Sequence, residues 1–480
     1  MRAVEAKART ARASKGSDTM NARQLASSLG LALLTSCASA HPPTTSVDAR
    51  SGSRLRAWRL DAGDGASRFD GWHDAALDMD CTFIPTAEGP WRCRDVAFAE
   101  IVYRDAACTD PIVVWGRTPR STSAQYVYDY DTTPRTCALG ALGGIENLAP
   151  IVGAHRIGAP LAAPPQVFRA GAGTCAPYVP SPIFGTPAYA ELGEAVALDH
   201  FVGADEQASP HGALEVIELV ADDGATQRLE VRGALGEACT ATRFEDAWRC
   251  APIEQGLAQG TEYADAACSI RTVLGATGPD CAPPRLLSST SCGHGAIRPL
   301  ERVSGPLYSS ASGTCLSTGS SPAAAWAVGD PLAGDALEAA APALTMTPVG
   351  GALALQRFDA PDGAPVALGE WLDPEGESCR LYAAGGAWVC LRPLFARTYF
   401  SDASCSTPLA TVATDCPGAA PNAVVDLETG ALFTPGAAYA GDTFTRGASG
   451  CTAAPSHPSV FEIGPPLDTS ELPRVVRTLD

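Results

Sequence analysis

The residues in this chain with the most chemical potential are its 17 cysteines, and their spacing decides which chemistry is open to them. Trp-x-Cys followed by an aromatic and then Asp-x-x-Cys occurs three times, in "WRCRDVAFAEIVYRDAAC", "WRCAPIEQGLAQGTEYADAAC" and "WVCLRPLFARTYFSDASC". A zinc site needs close ligand pairs such as Cys-x₂₋₄-Cys, matched by a second pair or by histidines. No Cys-x-x-Cys occurs, and the 7 histidines follow no repeat; "CGHG" at 292–295 is a single Cys/His cluster. A redox or nucleophilic thiol is expected once, beside a base. Cysteines recurring at fixed places instead read as cystine staples.

The leader places those staples in a compartment. "LASSLGLALL" at 25–34 is too short to span a bilayer and suits a secretory core behind the basic residues Arg2, Lys7, Arg9, Arg12, Lys15 and Arg23. Met20 would also serve as a start, giving the compact signal "MNARQLASSLGLALLTSC". Leu34-Thr35-Ser36-Cys37 resembles the bacterial lipobox, which makes Cys37 the expected lipidation site and the first mature residue. An ordinary cleaved signal is the alternative. Sixteen cysteines then remain, an even number, as an oxidising compartment permits.

Charge excludes several functions. Beyond Cys37 the chain has no lysine, and its 28 arginines face 51 acidic residues, a net charge of −23. Nucleic-acid binding is therefore not expected, because it needs clustered cations. A phosphate-loop lysine, a Schiff-base lysine and a Ser/Lys dyad are impossible, and Gly-x-Ser-x-Gly and His-Glu-x-x-His are absent. No cofactor and no metal are expected.

The elements that position the cysteines repeat with them. Asp64-Gly65, Asp223-Gly224 and Asp362-Gly363 each sit between alternating apolar runs, a hairpin signal because the tight turn needs positive φ. Then come Cys81, Cys239 and Cys379; Trp91–Cys93, Trp248–Cys250 and Trp388–Cys390; and Asp105–Cys108, Asp265–Cys268 and Asp402–Cys405. Tyr103, Tyr263 and Phe400 stand two residues before each of those Asp, and a closing block ends at Cys175, Cys315 and Cys451. With 39 prolines and 47 glycines and no capped 3.6-residue pattern, the expected class is all-β. "AGDALEAAAPAL" comes closest to a helix, and Pro342 interrupts it.

The organisation follows: residues 1–37 signal peptide, 38–53 tether, and β repeats at 54–209, 210–345 and 346–480. Each repeat looks like two halves, so six half-units could close as a six-bladed propeller-like ring; three β-sandwich-like beads are the alternative. Expected bridges are Cys81–Cys93, Cys239–Cys250 and Cys379–Cys390 between neighbouring strands, then Cys268–Cys281, Cys405–Cys416, Cys108–Cys137 and Cys292–Cys315. Cys175–Cys451 would mark ring closure, with Cys137–Cys175 open as a local alternative. The recurring Asp reads as a turn cap. "DAGDGASRFD" lacks the ligand pattern of a calcium loop and reads as a hairpin turn. "YVYDYDTTPR" has no counterpart in the other repeats and reads as a solvated insertion, with Tyr126, Tyr128, Asp129, Tyr130 and Asp131 as a candidate contact loop for a cationic or carbohydrate partner.

As a set, these motifs behind a lipobox resemble a family of cysteine-rich repeat proteins, bacterial lipoproteins or secreted proteins with no assigned activity, over residues 52–475. The resemblance implies surface location and repeat architecture, and it brings no catalytic residue. The expected function is a non-enzymatic envelope lipoprotein, held to the membrane through its lipid alone, that binds an envelope protein or glycan or serves as structure. The alternative is a secreted hydrolase acting on polysaccharide or peptide through surface carboxylates.

Overall fold

The computed structural model describes residues 49–97, 99–116, 124–131, 150–171, 174–180, 187–233, 236, 238–244, 247–252, 258–274, 286–291, 294–311, 314–319, 325–384, 386–411, 420–426, 429–447, 450–454 and 459–480. Almost all of it is β-strand; one α-helix, Gly334–Ala340, lies in the segment with the nearest helical pattern and ends just ahead of Pro342. Among the described residues no helix is long and apolar enough to cross a membrane.

A sheet of 16 strands runs through all three repeats. The second arc is made of Gly203–His211, which starts just ahead of repeat 2, then Leu214–Ala221, Thr226–Arg232, Ala238–Phe244 and Ala247–Pro252. Repeat 3 supplies Ala343–Gly350, Ala354–Asp359, Pro365–Leu372, Ser378–Ala384 and Ala387–Leu391. Repeat 1 supplies Leu55–Asp61, Ser67–Asp74, Met79–Pro85 and Trp91–Asp95, and the leading place in its arc is taken by Arg474–Leu479 from the far end of the chain.

The arcs join at one recurrent step, where Trp91 faces Ala204, Trp248 faces Leu344 and Trp388 faces Val475. Ala238–Phe244 pairs back onto Thr226–Arg232, so the sheet closes into a ring, with Ala49–Arg50 added at its border. Each arc thus begins one strand before the hairpin that opens the sequence repeat.

Each arc wraps its own small core. Leu55, Ala57 and Trp72 pack on Cys81–Cys93; Leu214, Val216 and Val231 on Cys239–Cys250; Leu353, Leu355 and Trp371 on Cys379–Cys390. The apolar tip of another repeat's hairpin completes each one: Ala221 and Ala225 in the first, Ala360 and Val366 in the second, Ala62 and Ala66 in the third. Each buried alanine methyl contributes about 0.8 kcal/mol and Val366 more, so the interlock adds a few kcal/mol to the joints between arcs.

The second half of each repeat forms a seven-stranded sheet of its own, and that of repeat 1 packs Tyr126, Tyr128, Ile151 and Ala154 into the core of its arc. In repeats 1 and 2 the strands, counted along the chain, lie in the order sixth, fifth, first, second, seventh, fourth, third. In repeat 3 the first strand, Pro393–Phe400, also pairs in parallel with the third, Ala423–Asp426, which closes a small barrel. The all-β class is as expected, while the first halves form one closed ring of strands and the second halves three further sheets, with no six-bladed propeller among the described residues.

Candidate functional site

The repeated motif residues are now accounted for. Cys81–Cys93, Cys239–Cys250 and Cys379–Cys390 bridge adjacent strands, as their spacing predicts. The other expected pairs are corrected. Cys108 bonds Cys175, Cys268 bonds Cys315 and Cys405 bonds Cys451, at separations of 67, 47 and 46 residues. Hence Cys108–Cys137, Cys268–Cys281, Cys405–Cys416, Cys292–Cys315, Cys175–Cys451 and Cys137–Cys175 do not form.

The expectation of short loops failed because closure entropy grows only logarithmically with length. Topology chose the partner instead: the hairpin carrying the second cysteine lies on the strand that precedes the first, as Phe168 on Tyr103, Tyr308 on Tyr263 and Phe444 on Phe400. Cys37, Cys137, Cys281, Cys292 and Cys416 lie outside the described residues.

The three Asp do cap their turns. Asp105 accepts the backbone N–H of Thr109 at 2.8 Å, Asp265 that of Ile270 at 2.7 Å and Asp402 that of Thr407 at 2.7 Å. Side-chain hydrogen bonds from Thr109, Ser269 and Ser404 respectively hold these carboxyls below the usual carboxylate range. Each turn puts its cysteine in the left-handed region, at φ 53° for Cys108, 52° for Cys268 and 51° for Cys405. A residue with a Cβ pays about 1–2 kcal/mol there, and the cap and cystine together hold it. Glycine should relieve that strain. The double variant Cys268→Gly/Cys315→Ala is expected to be about 1 kcal/mol more stable than Cys268→Ala/Cys315→Ala, compared by denaturant titration. Equal midpoints would contradict the strain.

The Asp-Gly dipeptides form the expected hairpin turns, with positive φ at Gly65, Gly224 and Gly363. Their Asp side chains reach further, to the base of a hairpin in another repeat. Asp223 accepts the backbone N–H groups of Arg54 at 2.8 Å and Leu55 at 2.6 Å, Asp64 accepts that of Leu353 at 3.2 Å, and Asp362 lies 3.4 Å from His211. Three tips thus lock three bases in a cycle, which the sequence did not disclose.

The aromatic segment at 126–131 is not an exposed loop. It forms strand Tyr126–Tyr130, with Tyr126 and Tyr128 in the core against Phe201, because alternation sets the rings at 126, 128 and 130 on one face. Tyr130 packs beneath Arg94, and Asp129 lies 3.2 Å from His155. Asp131 follows the strand, and its backbone N–H bonds Pro150.

Beside this strand, Asp95 is buried and accepts the N–H groups of Ala97 at 2.8 Å and Gln125 at 3.0 Å; its own N–H bonds the Tyr128 hydroxyl oxygen. Burial pushes its carboxyl up to about 6 and pushes the Tyr128 phenol well above its ordinary range. The folded state then binds a proton more tightly than the unfolded chain, so stability rises as pH falls through 6 toward 4. The gain between pH 7 and pH 5 should be about 1 kcal/mol, read as a rise in melting temperature that Asp95→Asn flattens. An unchanged slope in that variant would assign the effect elsewhere.

A cleft of about 460 Å³ lies in the third barrel. Ser401, Thr407, Pro408 and Leu409 form one side; Asp426, Phe433, Tyr439, Glu462 and Ile463 form the rest. Asp426 and Leu409 are buried, Glu462 and Thr407 exposed, so the floor is enclosed and the mouth open. The Tyr439 hydroxyl bonds the carbonyl oxygens of Ser401 and Asp442, which fixes the ring at the rim. No lining residue is basic. Sequence reading missed this site, since its members come from separate segments and only Ser401 falls within a repeated motif. Among the described residues no group of three or more His, Cys, Asp or Glu could hold a metal.

The family of unknown function DUF7481 matches residues 31–343. The chain belongs to that family. The DUF7481 match covers the ring segments of repeats 1 and 2 with their outlying sheets, and ends at the first residue of the strand opening the third arc. No curated protein and no solved structure matches the chain.

Proposed function

We propose that the protein is exported and lipid-anchored in the cell envelope, and works there as a non-enzymatic binding or structural module. The carrying observation is where its repeated polar residues go. The hairpin Asp lock one repeat to another, the Asp-x-x-Cys Asp cap turns, and among the described residues twelve cysteines pair as six cystines. Everything that recurs is scaffold, so the positions that differ between repeats are left to meet partners. Six cystines fit an oxidising compartment outside the cytosol. The acidic surface argues for protein or glycan partners over nucleic acid.

Two measurements test this reading. Growth of an expressing bacterium with an alkyne fatty acid should label the wild type and leave Cys37→Ser unlabelled; equal labelling, or none, removes the anchor. The oxidised protein, offered a glycan array alongside polysaccharide and peptide hydrolysis assays, should retain ligand without turnover. Turnover of any substrate overturns the non-enzymatic reading.

A further inference from the structure

The three outlying sheets carry the same turn, which allows the cleft of repeat 3 to be compared position by position with its counterparts. The turn is closed by an N–H bond from Arg104 to the Asp110 carbonyl in repeat 1, from Ala264 to Ile270 in repeat 2 and from Ser401 to Thr407 in repeat 3. Across the sheet, Glu191 faces Ile112 and Ala327 faces Thr272. One step beyond the pair Ala410–Phe461, the register sets Glu462 opposite Leu409. Equivalent triplets are therefore Arg104, Asp110 and Glu191; Ala264, Ile270 and Ala327; Ser401, Thr407 and Glu462.

Their chemistry differs in an ordered way. In repeat 1 the Arg104 guanidinium makes a two-pronged bond to Asp110, at 2.7 and 2.8 Å. That bond, helped by the charges of Asp110 and Glu191, holds the guanidinium above its ordinary range. Repeat 1 thus supplies its own cation next to the carboxylate of the seventh strand. Repeat 2 has neither cation nor carboxylate at the three positions. Repeat 3 keeps the carboxylate, Glu462, but replaces the arginine with Ser401 and the aspartate with Thr407, and all three of these residues line the open cleft. The buried Asp426 adds a second carboxylate, and Phe433 and Tyr439 add aromatic walls.

We propose that the cleft of the third barrel binds the guanidinium group of an arginine side chain presented by a peptide or protein partner, in the place that Arg104 fills from within in repeat 1. The planar cation pairs with Glu462, its stem and face lie against the aromatic walls, and the Ser401 and Thr407 hydroxyls accept its remaining N–H groups. An ion pair at an exposed mouth is weak, so the affinity for a single arginine should be about millimolar and should fall with added salt. A partner with several arginines would gain by avidity.

This inference rests on the binding-module reading and names a ligand for it. The test is a ligand-observed NMR titration of the intact oxidised protein with N-acetyl-arginine methylamide, with the citrulline analogue as a neutral isostere. Saturable binding of the arginine compound is expected, with the citrulline compound at least tenfold weaker. Glu462→Gln should weaken the arginine compound about tenfold. The double variant Ser401→Arg/Thr407→Asp rebuilds the repeat 1 ion pair, and should abolish binding while leaving the melting temperature equal or higher. Equal affinity for the two compounds, no effect of Glu462→Gln, or persistent binding in the double variant each overturns the assignment. Failure here with ligand still held on the glycan array removes this ligand alone, whereas turnover of a substrate removes the parent reading.

Discussion

Deleting residues 474–480 is expected to open the ring. Strand Arg474–Leu479 supplies the joint between the third and first arcs, pairing with Ala387–Leu391 on one side and Leu55–Asp61 on the other. Its Val475 is fully buried against Cys379–Cys390. Its Arg477 lies 4.1 Å over the Trp58 ring and bonds Asp70 at 2.8 Å and Asp80 at 3.1 Å. Asp480 adds a pair with Arg59 at 2.9 Å.

Losing the strand uncovers two sheet edges and an apolar core, and strips Asp70 and Asp80 of a cationic partner. The summed penalty should exceed about 5 kcal/mol, enough to separate ring unfolding from that of the outlying sheets. The truncated protein should show a larger radius by small-angle scattering and rapid proteolysis near residue 60. A synthetic peptide of residues 472–480, added in excess, should partly restore the wild-type behaviour. A melting temperature unchanged by the deletion would refute ring closure as the source of stability.

The second large effect is expected at a hairpin tip, and it should differ among three residues that look alike in sequence. Asp223→Ala removes the acceptor of two backbone N–H groups at the base of the first hairpin, those of Arg54 and Leu55, together with the Ala225 turn bond. Hydrogen bonds to a charged partner contribute about 1.5–3 kcal/mol each, and orphaned donors at a partly buried joint add to the loss. A destabilisation of about 4 kcal/mol follows. Asp64→Ala, losing a single 3.2 Å bond to Leu353, should cost about 1–2 kcal/mol. Asp362→Ala, losing an exposed turn bond from the Ala364 N–H and a half-exposed contact with His211, should cost about 1 kcal/mol. Denaturant midpoints for the three variants test the ranking, and equal losses would show that all three serve only as local turn residues.

What the sequence disclosed follows the distance over which each feature is specified. Asp64-Gly65, the alternating runs around it and the Cys81–Cys93 staple are set by neighbours within a dozen or so residues, so pattern reading found them. The Asp105, Asp265 and Asp402 caps are equally local. The Cys108–Cys175 bridge depends on a hairpin returning to Tyr103, which no spacing rule encodes. Trp91, Trp248 and Trp388 were conspicuous, yet their place at the joints between arcs depends on which strand arrives next. The Tyr126–Tyr130 strand was taken for a surface loop because its repeat mate in the third unit, "AVVD" at 423–426, shares its place but not its composition. The third-barrel cleft exists only as a juxtaposition of separate segments, and its meaning emerged from what the first repeat puts there.

The order in which the ring completes itself has a consequence for biogenesis. The first arc waits for residues 474–479, which follow every other described strand in the order of synthesis. Until they arrive, Leu55–Asp61 presents a bare hydrogen-bonding margin to whatever is nearby, the kind of margin that recruits chaperones or seeds misassembly. A chain broken off early should therefore never acquire the mature shape.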